Sequence, residues 1–128
     1  MAPVGARTYL KTHKLKGKVL QFQLREELDA LLQRAKESAS GRTAKTLVKE
    51  GPLRMTLVAM RKGARMNKHH VDGQSTVQAL RGRVRLESDT GTADLGPGEV
   101  AVFNRGVEHD AIARSDCAFL ITMSWHRR

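Results

Sequence analysis

The sequence predicts a mainly β protein, a β-sandwich or barrel with one helix packed against its outside. Two observations carry this prediction: an amphipathic segment ends near Gly41, and the rest of the chain breaks into short runs of alternating polarity separated by glycines. About seven or eight short strands with frequent turns are typical of sandwiches and barrels. At 128 residues the chain can form one domain with one core, which excludes a multi-domain enzyme.

The helix is predicted over residues 22–38. Apolar side chains recur there at helical spacing and form one stripe: Leu24, Leu28, Leu31, Leu32 and Ala35. Glu26 and Glu27 in the first turn and Lys36 in the last suit the helix dipole, and Gly41 is the predicted stop. Such a stripe needs another apolar surface to lie on.

Strands are predicted over most of the chain after Gly41, in a barrel of about residues 45–125. Residues 53–60 show the two-residue period of a strand, which places alternate side chains on opposite faces. One face would carry Leu53, Met55, Leu57 and Ala59, and the other Arg54, Thr56, Val58 and Met60. Further strands are predicted over residues 76–80, 83–87, 92–95, 100–103, 109–113 and 118–124. Glycines separate most of these runs.

The net charge of +10 is the outlier of the composition. It admits nucleic acid, an anionic membrane or an acidic small molecule as partners. Residues 1–20 are predicted to be a flexible basic arm ahead of a single domain over residues 21–128. This arm contains the densest basic cluster of the chain: Lys11, Lys14, Lys16 and Lys18. A solvated surface explains such a cluster, and the scarcity of aromatic residues makes nucleic acid the weaker alternative.

Neither a leader nor a membrane span is predicted. The N-terminal residues lack the apolar stretch of a secretory signal, and no run approaches the ~20 apolar residues that a membrane helix needs. The single cysteine, Cys117, cannot form an intrachain disulfide and lies in an apolar run predicted as a buried strand. We therefore expect a soluble, cytoplasmic protein with no membrane partner.

Two stretches bounded by glycines resemble the paired motifs of the cupin family, G-x5-H-x-H-x3,4-E-x6-G and G-x5-P-x-G-x2-H-x3-N. The second motif is matched at Gly98, Gly106 and His109, while Asn104 replaces its proline and Ala113 its asparagine.

The first motif is matched in frame but is degenerate. Gly63, His69 and Gly82 align with it, whereas Val71 stands at the second histidine and Ser75 at the glutamate. The resemblance covers about residues 53–125. It implies a small single-domain cupin, a double-stranded β-helix (jelly-roll) barrel with one N-terminal helix.

The resemblance also implies a site inside the barrel. In the family, histidines and a carboxylate hold one divalent metal, and the candidate ligands here are His69, His70, Gln74 and His109 for Zn, Fe, Ni or Mn. His69 and His70 can both face the barrel only across a bulge, because adjacent strand residues point to opposite faces. A metal-free cavity remains an equal alternative, since the set lacks a carboxylate.

The predicted pocket is small and mostly apolar, lined by Ser75, Val77 and Ala79 on one regularly alternating strand. Two functions follow as alternatives. One is a metal-dependent enzyme, oxygenase-like or isomerase-like, acting on a small molecule. The other is a non-catalytic cupin that senses or binds a small ligand, such as a carboxylate or a sugar, without metal. Because cupins commonly pair, the resemblance also predicts a homodimer.

Overall fold

The computed structural model describes residues 19–69 and 73–125, and of residues 68, 69 and 125 it describes only the backbone. The basic arm predicted over residues 1–20 lies almost wholly outside this range, as does His70. The elements follow in chain order: α1 (Leu24–Glu37), β1 (Arg42–Glu50), β2 (Leu53–Met60), β3 (Arg65–His69), β4 (Gly73–Arg81), β5 (Val84–Ser88), β6 (Gly91–Leu95), β7 (Val100–Phe103), β8 (His109–Ala113) and β9 (Cys117–Trp125).

The strands form two antiparallel sheets. The first has five strands in the order β1-β2-β9-β4-β7, and the second has four in the order β3-β8-β5-β6. From β2 to β9 the chain passes back and forth between the sheets, so neighbours within a sheet are mostly distant in sequence. This is the connectivity of a jelly roll, and it confirms the predicted mainly β barrel with one N-terminal helix.

The barrel interior is apolar over most of its length. Alternate residues of each strand point inward, and those of the first sheet meet those of the second. The largest fully buried interior side chains are Phe119, Met60, Leu86, Val58, Val77, Val84 and Cys117. Burial raises the pKa of the Cys117 thiol to about 12, with the nearby Asp116 adding to the shift. At neutral pH the thiol is therefore protonated and unreactive.

Helix α1 covers part of the outer face of the first sheet. Its stripe of Leu28, Leu31, Leu32 and Ala35 packs mainly on β1 and β2, with fewer contacts to β9. Leu47 of β1 and Leu57 of β2 are fully buried beneath it. The observed helix lies inside the predicted range of residues 22–38. No helix in the described ranges is long and apolar enough to cross a bilayer.

The helix C-terminus is held by an arginine from the barrel. Arg61, just after β2, donates from Nη1 to the carbonyl oxygens of Lys36 at 3.0 Å and Ser38 at 3.3 Å. The last carbonyls of a helix have no intrahelical partners, and a cation there also offsets the negative end of the helix dipole. Arg61 therefore fixes the end of α1 against one end of the barrel.

Candidate functional site

Buried polar side chains point to the site. Within the described residues three polar side chains are buried: Glu27, Ser75 and His109. Glu27 belongs to α1 and lies between the helix and the first sheet. Ser75 and His109 lie at one end of the barrel interior, which we call the open end. Buried polar groups are costly unless they are hydrogen-bonded, so two of them together in an apolar interior mark a candidate site.

Ser75 faces inward because β4 alternates regularly. Its burial pattern places Gly73, Ser75, Val77 and Ala79 on the inner face and the residues between them outside. Ser75 pairs with Phe103 of β7 on one side and with Met123 of β9 on the other. Only 4% of Ser75 is exposed. Ser75 therefore lies between Phe103 and Met123 in one row of the sheet.

His109 opens β8 and is tied to Ser75 through Phe103. The imidazole stacks on the Phe103 ring with centroids 4.2 Å apart and planes 9° from parallel. His109 shares the inner face of β8 with Ala111 and Ala113, and 4% of it is exposed. Phe103 therefore spans the gap between the two sheets and orients the imidazole.

Arg54 belongs to the same layer as Ser75 and His109. No motif in the sequence had identified it as a site residue. It pairs with Met123 of β9, which in turn pairs with Ser75. Because Val58 and Met60 pack in the barrel interior while Leu57 and Ala59 pack against the helix side, alternation puts Arg54 on the inner face of β2. The 53–60 alternation was visible in the sequence, but nothing there told which face is inside.

His69 lies in register with His109. The backbone of the last residue of β3 pairs with the first residue of β8, after a register shift between Met66 and His69. This shift lies ahead of His69, so whether His69 and His70 both face the barrel stays a prediction. His70 itself lies outside the described residues, and His69 is described by its backbone alone.

Gln74 is placed on the other side of β4 from Ser75. Its side chain is exposed, and its Nε2 donates to Oδ1 of Asn104 at 3.3 Å. The structure therefore does not bring the Gln74 amide to the interior face that carries Ser75 and His109. This follows from strand alternation, since Gln74 and Ser75 are neighbours in sequence.

Val77 and Ala79 continue the inner face of β4 below Ser75. They are 0% and 1% exposed and belong to the interior apolar cluster together with Phe119 and Ile121. Polar groups are thus concentrated in the layer of Ser75, and the row below it is apolar except for Thr56. Whether a ligand reaches Val77 and Ala79 stays a prediction.

Two described acidic side chains at this end, Glu87 and Asp110, lie on the outside. Glu87 of β5 pairs with Asp110 of β8 on the outer face of the second sheet, since their neighbours Leu86 and Ala111 point inward. Arg65 Nη1 lies 2.6 Å from Asp110 Oδ2, and its Nη2 lies 3.7 Å from Glu87 Oε1. An open cleft of about 460 Å³ runs along this face, lined by Glu87, Ser88, Asp89, Gly106, Glu108 and Asp110.

The described side chains do not form a three-ligand metal site. No group of three histidine, cysteine, aspartate or glutamate residues within the described ranges lies close enough to hold a metal ion. His109 is the described member of the predicted ligand set that faces the interior. The lysines of the predicted arm, Lys11 to Lys18, lie outside the described residues.

Comparison with known proteins identifies the fold. No protein-family model and no curated protein matches the chain. Among solved structures, a conserved protein of unknown function from Streptococcus pyogenes superposes with a TM-score of 0.65 at 19% identity, covering 94% of this chain and 96% of that one. An RmlC-like cupin from Shewanella frigidimarina superposes with a TM-score of 0.63 at 19% identity, covering 70% of this chain and 81% of that one.

A larger enzyme contains the same barrel. The salicylate 1,2-dioxygenase of Pseudaminobacter salicylatoxidans superposes with a TM-score of 0.68 at 18% identity, over 77% of this chain but only 33% of the enzyme. At these identities the likeness shows the fold alone. The two sheets, their jelly-roll connectivity and these neighbours show that the chain has the cupin fold.

Proposed function

We propose that the protein binds a small organic molecule at the open end of its cupin barrel. The observation that carries this proposal is the layer of Ser75, Phe103 and His109, in which two buried polar side chains lie at the end of a mostly apolar interior. Ligand sites commonly combine apolar walls with a few fixed polar groups. A salicylate 1,2-dioxygenase variant, of which 32% superposes on this chain, has been solved in complex with gentisate, a small organic molecule.

Each residue of the layer has a distinct part in binding. The His109 imidazole, held by the Phe103 ring, offers a nitrogen to a ligand in one fixed orientation. The Ser75 hydroxyl can donate or accept, and Phe103 supplies an apolar surface between them. Because the three are fixed by strand pairing and stacking, they lose little conformational freedom when a ligand binds.

The second candidate is the same site with a divalent metal. The backbone register of His69 opposite His109 favours it, because directly paired residues in antiparallel strands have Cα atoms only about 4.5–5.5 Å apart. His69 and His109 would hold Zn, Fe, Ni or Mn, with His70 as a further predicted ligand, while the predicted ligand Gln74 lies on the outer side of β4. Such an ion supplies a Lewis acid that polarises an oxygen of the bound molecule.

Binding and metal content together test these candidates. Ligand-observed NMR with benzoate, benzamide, lactate, lactamide and glucose, in excess EDTA, should show binding of at least one probe. His109→Ala should abolish that binding, while the exposed outer-face variant Gln74→Ala should leave it unchanged. If no probe binds to the wild-type chain with or without added metal, the proposed function is wrong.

The metal candidate has its own readout. Protein purified without chelators should then contain a near-stoichiometric divalent ion, and His69→Ala and His109→Ala should each lose it. Probes that bind equally well in EDTA, to protein with no bound ion, would establish the metal-free function instead.

We also propose that the protein pairs through the outer face of β4, β7 and β9, which α1 leaves uncovered. The outward side chains there carry no charge although 28% of the chain is charged: Gln74, Thr76, Gln78, Val100, Val102, Thr122 and Ser124. Val100 and Val102 are 55% and 67% exposed. A second copy of this basic chain is the occupant that an uncharged face suits, since no like charges meet.

A further inference from the structure

The geometry points to a carboxylate as the ligand of the open end, with Arg54 as the residue that selects it. This inference rests on the binding function proposed above and names its ligand class. It starts from an arginine on the inner face of a barrel whose other inward side chains are almost all apolar.

The position of Arg54 is fixed by strand register. One transverse row of the first sheet runs from Arg54 of β2 through Met123 of β9 and Ser75 of β4 to Phe103 of β7. Met123 and Ser75 are both buried, so the row faces the interior, and Arg54 at its end is half-buried. Side chains that pair directly across antiparallel strands share one face.

The spacing of the row suits a small ligand. Neighbouring strands lie about 4.8 Å apart, so Arg54 and Ser75 are separated by roughly 10 Å at their backbones. Met123 lies between them in the row, so a ligand that contacts both side chains would lie over Met123 at the open end. Phe103 and the stacked His109 imidazole close the far end of the row.

Charge is separated across the wall of the barrel at this end. Glu87 and Asp110 lie on the outer face of the second sheet, where Arg65 contacts both of them. The inner faces of the two nearest rows of the first sheet hold no acidic residue. Their members are Arg54, Met123, Ser75 and Phe103, then Thr56, Ile121, Val77 and Ala101. Among the described members of these two rows Arg54 is the charged residue, and the described carboxylates Glu87 and Asp110 lie on the outside.

This donor set fits the chemistry of a carboxylate. A guanidinium offers parallel N–H donors that match the two carboxylate oxygens, and such charge-assisted bonds are about twice as strong as neutral ones. Ser75 and His109 each add a donor. A primary amide of the same shape has one oxygen acceptor and an NH₂ group that would meet the guanidinium donor to donor, so the site should distinguish the two.

The test compares matched acids and amides on full-length protein. Isothermal titration calorimetry with benzoate against benzamide, and lactate against lactamide, should show that the wild-type chain prefers the carboxylate of a pair by at least about tenfold. Arg54→Gln should lose that preference. Arg114→Gln, which removes an exposed arginine from the opposite end of the barrel, should keep it. Circular dichroism establishes that each variant folds.

Arg54→Lys provides a second variant with the charge retained. It should still favour the acid, but more weakly than the wild type, because an ammonium lacks the planar pair of donors. If amides bind as well as acids, or if Arg54→Gln keeps the wild-type preference, the carboxylate inference is wrong while the binding function stands. If neither acids nor amides bind to the wild-type chain, both proposals fail together.

Discussion

At the scale of single residues, the position of a side chain in its strand decides its role more than its chemical type. Gln74 and Ser75 are adjacent, yet one is exposed beside Asn104 and the other is buried beside Phe103. The sequence predicted His109 and Ser75 through a motif, since a motif marks positions. It did not single out Arg54, because alternation alone does not tell the inner face from the outer one.

Among the described residues, Glu27 is a buried carboxylate that lies on α1 and not in the barrel interior. It is 2% exposed, and its Oε1 accepts a hydrogen bond from Lys45 Nζ at 3.1 Å. Burial raises its pKa above the ordinary value of 4.5, although Lys45 and Arg34 oppose the shift. The folded state therefore holds the Glu27 proton more tightly than the unfolded state does. The stabilising contribution is complete below pH 4.5 and is lost as pH rises through the raised pKa.

We expect Glu27→Gln to be more stable than the wild type at pH 7. The amide keeps an acceptor for Lys45 without the cost of burying a charge, and it cannot titrate. Thermal unfolding at pH 4 and pH 7 measures this. The melting temperature of the variant should exceed that of the wild type at pH 7, and the gap should narrow at pH 4.

Glu26→Gln is the matched control, because Glu26 lies in the same helical turn and is exposed. Its stability relative to the wild type should change little between the two pH values. A Glu27→Gln variant that is less stable at pH 7 than at pH 4, relative to wild type, would show that the ion pair with Lys45 outweighs burial.

At the scale of elements, the sequence predicted strands well where apolar alternation was strong. The bounds of β7 and β8 agree with the predicted ranges of residues 100–103 and 109–113. Strand β3 was not predicted, because Arg65 to His69 contains a single apolar residue and has no alternation. Its pairing with β8 makes it a strand, which is a tertiary contact that no local pattern contains.

Two motif glycines occupy turns with different surroundings. Gly82, in the β4–β5 turn, has φ +67°, and a Cβ built there would lie 2.0 Å from the backbone oxygen of Asp116. Gly98, in the β6–β7 turn, has φ +88°, and a Cβ there would meet nothing within 4 Å. The motif therefore marks a close approach of two chain segments at one glycine and only a backbone conformation at the other.

Alanine at these two glycines should have very different costs. Gly98→Ala should lower the free energy of unfolding by about 1–2 kcal/mol, because alanine disfavours the left-handed backbone there. Gly82→Ala has the same backbone cost and must also displace the 114–116 loop from the β4–β5 turn, so we expect its free energy of unfolding to fall by about 3 kcal/mol or more. Urea unfolding of both variants measures this, and equal losses would contradict the close approach.

At the scale of the whole molecule, the excess of positive charge is spread unevenly. Arginines of the described barrel are largely paired: Arg65 with Asp110, Arg81 with Asp29 and Arg61 with the end of α1. Residues 1–18 contribute further basic residues and no acidic one: Arg7, Lys11, Lys14, Lys16 and Lys18. The uncharged outer face of β4, β7 and β9 stands out against this background.

Pairing through that face is the last expectation. Two copies with a net charge of +10 each repel one another, and an uncharged contact face keeps like charges apart while burying Val100 and Val102.

Sedimentation equilibrium should give twice the chain mass of 14.2 kDa. Val102→Lys places a charge on an exposed position of the face and should give the mass of one chain. Val19→Lys adds the same charge at a residue that is 93% exposed and off the face, so it should remain a dimer. A wild-type protein that sediments as one chain, or a Val102→Lys variant that still pairs, would assign this uncharged face another role.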